Sequence, residues 1–102
     1  MEKGAYAVIF TSRLRDPDGY GAMADRMEEL ARAQPGYLGH DSVRDEDGLG
    51  ITVSYWATEG AVKAWRANAE HLGAQAMGRE RFYAWFRLDV CGVERSYGFD
   101  RG

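Results

Sequence analysis

The pattern of the chain predicts an α+β fold in the order β-α-β-β-α-β, and three observations carry that reading. β-forming, apolar-rich segments open and close the chain and flank a short polar turn in its middle. Two stretches between them repeat apolar residues at helical spacing. Turn and breaker residues separate the segments, at Asp16-Pro17-Asp18-Gly19, Pro35-Gly36 and Asp45-Glu46-Asp47-Gly48. That order is the ferredoxin-like plan, a four-stranded antiparallel sheet with both helices on one face.

Residues 5 to 14 are rich in β-formers and at first apolar on both parities, as a strand covered on two sides would be. From Tyr20, the residues Met23, Met27, Leu30 and Ala31 share one helical face, and this first helix runs to about Gln34, where Pro35-Gly36 stops it. Tyr37 to Arg44 and Leu49 to Trp56 form a hairpin around the polar turn. In the third strand Leu49, Ile51, Val53 and Tyr55 alternate with Gly50, Thr52, Ser54 and Trp56. The first set is expected under the helices. Thr52 and Ser54 are then expected on the open face, together with Arg87, Asp89, Cys91 and one of Val8 or Ile9. Thr58-Glu59 opens a second helix with Ala61, Val62, Trp65, Ala69, Leu72 and Ala76 as its core stripe. Helical character is expected to persist to about Tyr83, with a break near Asn68 or Gly73. Trp85 to Tyr97 reads as the fourth strand, running into a tail over residues 96–102.

With 102 residues the chain supports one core, so residues 1–102 are expected to form a single domain. Thirteen basic and sixteen acidic residues, interspersed, give a net charge of −3 and leave no electrostatic footprint for a nucleic acid. No apolar run approaches the ~20 residues that cross a bilayer, so no membrane partner is expected. The single Cys91 has no intrachain partner and no signal sequence opens the chain, which predicts a cytoplasmic protein. No GxGxxG, P-loop or nucleophile elbow is present, and two histidines and one cysteine are scattered without ligand spacing. No cofactor and no metal are therefore expected.

From Tyr55 onward the chain reads Tyr55-Trp56, Trp65, Glu70-His71, Ala74-Gln75, Gly78 and Phe82-Tyr83 before its last strand. This run resembles the antibiotic biosynthesis monooxygenase (ABM) domain family, whose members commonly carry Tyr-Trp, a helical Trp, a His, Ala-Gln, a Gly and an aromatic-Tyr pair. The resemblance reaches from the first strand to about Phe99 and is densest between Gly36 and Tyr97. It implies a homodimer paired through its sheets as a dimeric α+β barrel, binding a small hydrophobic or aromatic molecule. It also implies a cofactor-independent monooxygenase acting on a small aromatic or polyketide-like compound. Two alternatives stand beside that reading. One is a non-catalytic dimer that binds a small molecule. The other is a haem-degrading oxygenase, whose axial histidine would fall about ten residues after the helical Trp, where this chain has Gln75, a poor iron ligand beside imidazole.

His71 is the expected catalytic residue, since an imidazole titrates near ~6.5 and takes a proton at neutral pH. On a helical wheel it leaves the Val62/Trp65/Leu72 stripe and joins Asn68, Gln75 and Phe82 on a second face, which would line a cavity with mixed polar and apolar groups. A surface histidine bonded to Gln75 is the bland alternative. Trp65 and Trp56 are expected as stacking walls for a flat substrate, with core packing as their alternative. One helical turn before Trp65 stands Ala61, where the quinone-forming members of the family support this Trp with polar residues. Tyr55, Tyr83 and Arg87 are weaker candidates for hydrogen bonds to a substrate oxygen, with a structural role as the alternative for each. His40 lies beside Asp41, but neighbouring strand residues point to opposite faces, so Asp41 does not orient that ring.

Overall fold

The computed structural model of the chain describes residues 1–71 and 81–102, the side chains of residues 69–71 excepted. Its elements are β1 (Tyr6–Leu14), α1 (Tyr20–Arg32), β2 (Tyr37–Arg44), β3 (Leu49–Trp56), α2 (Glu59–His71) and β4 (Tyr83–Gly92). The four strands form one antiparallel sheet in the order β2-β3-β1-β4, with neighbouring strands antiparallel throughout. The expected β-α-β-β-α-β order is therefore the observed one.

Local chemistry sets most boundaries. Asp16 Oδ1 accepts from the Asp18 amide at 3.0 Å and turns the chain into α1. Gly36, at φ 85°, ends the α1 excursion in a conformation that disfavours a side chain. Thr58 caps α2 by accepting the Ala61 amide at 3.0 Å. Between β2 and β3, Asp45 Oδ1 accepts from the Leu49 amide at 3.0 Å and Gly48 takes φ 94°. The last strand departs from expectation at both ends. It starts at Tyr83 rather than Trp85, so Tyr83 is strand and not helix, and it stops at Gly92, where pairing with Tyr6 at the start of β1 runs out. The expected helical stretch from Leu72 to Glu80 lies outside the described residues.

Cross-strand register fixes which residues share a face. Val8 pairs with Ser54 and Val90, Phe10 with Thr52 and Leu88, and His40 with Ser54. Trp56 has the same parity as Ser54 and Thr52, and its ring is fully buried beneath α2, against Val62 and Trp65. Thr52 and Ser54 therefore lie under the helices, contrary to the expectation from the alternation of β3. Leu49, Ile51, Val53 and Tyr55 face away, with Ile9, Arg87, Asp89 and Cys91. The reason is the size of the ring: burying Trp56 removes more apolar surface from water than burying any aliphatic residue of the other set, and parity carries its polar neighbours with it.

The core is small. Ala31 from α1, Trp56 and Val62 from α2 are its buried centre, with Tyr6, Val8, Tyr37, Ala61 and Trp65 packed around them. Among the described residues no helix is long and apolar enough to cross a membrane. Trp56→Ala is expected to cost about 3–5 kcal/mol of unfolding free energy in a denaturant titration. Gly36→Ala is expected to cost about 1–3 kcal/mol, because a Cβ there would lie 2.7 Å from the Ala61 Cβ at a positive φ.

Candidate functional site

Placing Thr52 and Ser54 under the helices, with the exposed Ser42 beside Thr52, leaves a floor of small polar side chains where bulky ones would otherwise fill the layer. A cavity of about 260 Å³ opens there between α1 and the sheet. Met23, Ala24 and Met27 of α1 roof it, and Val8, Phe10 and Leu88 supply apolar floor on the other side of the polar strip. Trp65 closes one wall, its ring stacked on that of Trp56 at 5.8 Å between centroids and 23° between planes. On the floor the Ser42 and Thr52 hydroxyls bond each other at 2.6 Å, and Ser54 accepts the Trp56 indole N–H at 2.9 Å.

The two ends of the cavity differ in chemistry. At one end Tyr37, His40 and Glu28 meet. The Tyr37 hydroxyl bonds His40 Nδ1, and His40 Nε2 stands 3.7 Å from Glu28 Oε2. Arg32 donates to the other Glu28 oxygen at 2.8 and 3.2 Å. This hydrogen bond, with a smaller contribution from His40, holds the Glu28 carboxyl below the usual carboxylate range. At the far end Tyr20 and Tyr83 line the wall, with ring centroids 5.8 Å apart in an edge-to-face pair. Arg44 lies over the Tyr20 ring and donates to its hydroxyl at 3.2 Å, to Ser12 Oγ at 2.7 Å and to the Gly48 carbonyl. Burial, followed by the Tyr20 hydroxyl, pushes the Tyr83 phenol well above its ordinary range, so it stays protonated and a donor.

Of the residues singled out from the sequence, Trp65, Tyr83 and His40 line this cavity. Trp56 lies behind Trp65 as its support. Asn68 is half-buried on α2 and is not among the described lining residues. Phe82 is buried against the Tyr20 ring, and its carbonyl accepts the Arg15 and Asp16 amides. Tyr55 and Arg87 lie on the opposite face of the sheet, where Tyr55 donates to Asp41 at 3.2 Å and Arg87 pairs with Asp89 at 3.2 Å. The His71 side chain and Gln75 lie outside the described residues.

The group around His40 was not visible as a group in the sequence. Tyr37 and His40 are three apart, which in a regular strand puts them on opposite faces. A bulge between Tyr37 and Gly39, where Gly39 takes φ 150°, shifts the register by one and brings both to the helix side. Asp41 remains on the far side. The polar floor did have a sequence signal, since Thr52 and Ser54 share the parity of Trp56.

Because the folded protein depresses the Glu28 titration, the associated stability is fully present above the ordinary carboxylate range and is lost as pH falls through the depressed value. Arg32→Gln is expected to return the Glu28 titration towards the ordinary range and to remove that part of the acid sensitivity, read by carboxyl carbon NMR.

Comparison with known proteins agrees with this fold. Residues 18–77 match the family model described as antibiotic biosynthesis monooxygenase. The uncharacterized protein YqjZ of Bacillus subtilis is 48% identical over 91 residues, which span 88% of this chain and 80% of that protein. Among solved structures, SnoaB, a cofactor-independent oxygenase from Streptomyces nogalater, superposes with a TM-score of 0.78 at 14% identity, covering 91% of this chain and 96% of its own. Rv0793 from Mycobacterium tuberculosis does so with a TM-score of 0.77 at 20% identity, covering 92% and 99%. The two structural likenesses establish a shared fold, and the family match over more than half of the chain, with the close relative, establishes descent: the chain belongs to the antibiotic biosynthesis monooxygenase family.

Proposed function

We propose that the chain is a cofactor-independent monooxygenase acting on a small aromatic, polyketide-like compound bound between α1, α2 and the sheet. The observation that carries this reading is the cavity itself, with apolar walls, a hydroxyl-lined floor and protonatable groups at one end. Trp65, braced by Trp56, is the flat wall for a planar ring. At about 260 Å³ the space is at the small end for ligand sites, below the ~300–1,000 Å³ usual for them, so a one- or two-ring phenol is favoured over a four-ring compound. The description of SnoaB as a cofactor-independent oxygenase supports the same reaction class.

The chemistry needs a base and a dry site. Removing the proton of a ring hydroxyl leaves an electron-rich phenolate, which passes one electron to O₂. The resulting radical and superoxide combine to form a C–O bond. Cleavage of the O–O bond then leaves one oxygen as a new ring carbonyl and the other as water, which carries off the two hydrogens lost by the phenol. The apolar walls cover the bound ring, displacing water from its faces, and hold it against the base.

The open face of the sheet carries Val43, Ile51 and Trp85, exposed at 73%, 42% and 43%. We propose that it pairs with the same face of a second copy, forming a homodimer. Apolar groups on one face of a sheet are stably covered by a second sheet. Sedimentation analysis is expected to give a dimer, and Ile51→Glu a monomer.

The reaction is tested by oxygen uptake with simple naphthols. Wild-type protein is expected to consume oxygen and to form the corresponding quinone. Ala24→Phe, which fills the cavity from α1, is expected to reduce the rate by about tenfold or more while the fold persists. A rate unaffected by filling the cavity would place the reaction elsewhere.

A further inference from the structure

We propose that Glu28, His40 and Tyr37 form a proton relay that ends in the cavity at the Tyr37 hydroxyl, which takes the acidic proton of the bound ring. The substrate of this relay is the one that the oxygenase reading supplies, whereas its hydrogen-bond geometry is a property of the free protein.

All three side chains line the cavity. The His40 side chain is only 17% exposed, bonded through Nδ1 to the Tyr37 hydroxyl and facing Glu28 Oε2 with Nε2. Arg32 occupies Glu28 Oε1, which leaves Oε2 for the imidazole. A carboxylate opposite Nε2 favours the tautomer with its proton on that nitrogen. Nδ1 is then an acceptor and the Tyr37 hydroxyl is its donor. Carboxylate, imidazole and hydroxyl in this sequence are the parts by which a weakly acidic hydroxyl is made to lose a proton. Here the hydroxyl is a phenol, and it lies at one end of a cavity with apolar walls and a hydroxyl-lined floor.

In the proposed step the ring hydroxyl of the substrate gives its proton to the Tyr37 oxygen as the proton of Tyr37 moves to His40 Nδ1. The electron pair of the broken O–H bond stays on the substrate as a phenolate. The imidazolium that forms is opposed by the Glu28 carboxylate. After O₂ has taken its electron, the same path returns the proton to the oxygen that leaves as water. Tyr37 is the catalytic residue, and His40 and Glu28 act through it.

Among the described residues, the charged and titratable groups that face His40 are few. From α1 they are Glu28 and, beyond it, Arg32; from β2 there is Tyr37. Its cross-strand neighbour on β3 is Ser54, which is neutral, and Glu59 and Lys63 of α2 pair with each other at 3.1 Å. The sequence put the base at His71 of α2, whose side chain lies outside the described residues. His40 is the histidine whose contacts at the cavity wall are described.

Two measurements decide the relay. Nitrogen NMR of the imidazoles in the free protein is expected to show His40 with its proton on Nε2, and Tyr37→Phe is expected to shift the Nδ1 resonance. A proton on Nδ1 overturns the relay. In oxygen uptake with a naphthol, Tyr37→Phe and His40→Asn are expected to lower kcat by about 100-fold or more, with KM changed far less. Full kcat in folded Tyr37→Phe protein overturns the relay, as does loss of turnover in His71→Ala with both relay variants at full rate. If wild-type protein consumes no oxygen, the oxygenase reading fails, and the tautomer of His40 still decides whether the relay exists.

Discussion

The burial of one indole at the end of β3 sets the rest of the molecule. Trp56 is completely enclosed, stacked on Trp65 of α2, met edge-on by Tyr37 at 5.7 Å and bonded through its N–H to Ser54. A strand has two faces and no intermediate choice, so committing Trp56 to the helix side commits Ser54, Thr52 and Gly50 with it. Gly50 then leaves room for the Arg44 guanidinium, since a Cβ there would lie 2.5 Å from it. The hydroxyls of Thr52 and Ser54 come to lie where a conventional core would have aliphatic groups. The helices cannot close down on such a floor as tightly as on leucines, and the space that results is the cavity.

Among the described residues few apolar side chains are fully buried, and the aromatic contacts among Phe10, Tyr20, Tyr83 and Phe86 contribute to the packing around the cavity. The polar groups beneath the helices are satisfied: among the described residues, no buried side-chain nitrogen or oxygen lacks a partner. Each hydroxyl or guanidinium has been drawn into a bond with its neighbours, which keeps the cost of burial low and the positions defined. The opposite face of the sheet receives what the helix side does not use, namely Ile51, Val53 and Val43 beside the Arg87–Asp89 pair.

The two ends of the cavity form by different means. The Arg44 end is built by a cation reaching across the hairpin to Ser12, Gly48 and Tyr20, three elements that come together only in the folded sheet. The His40 end depends on an irregularity, the bulge before Gly39, that rotates Tyr37 onto the face of a residue three positions away. Irregular backbone beside a cavity is a common way for a sheet to re-aim a side chain, and here it brings a phenol and an imidazole within bonding distance.

The sequence by itself determined the order of elements, the turns that separate them and the family. These depend on local rules: Pro and Gly at breaks, Thr58 as a cap, aromatic and apolar spacing along each segment. It did not determine which face of β3 the helices cover, because alternation shows that two faces differ without saying which is inside. Counting aliphatic residues favours Leu49, Ile51 and Val53, and a single Trp56 outweighs them only when α2 is there to enclose it. Nor could spacing pair Tyr37 with His40, or bring Glu28 from α1 to both, since a bulge and a helix-to-strand contact are decided by packing over distance. The tertiary structure placed Trp65 at the cavity, moved Tyr55 to the far side of the sheet and left Arg87 on the open face where the sequence had it, because parity in a strand is local, but the face that becomes the interior is chosen by the whole fold.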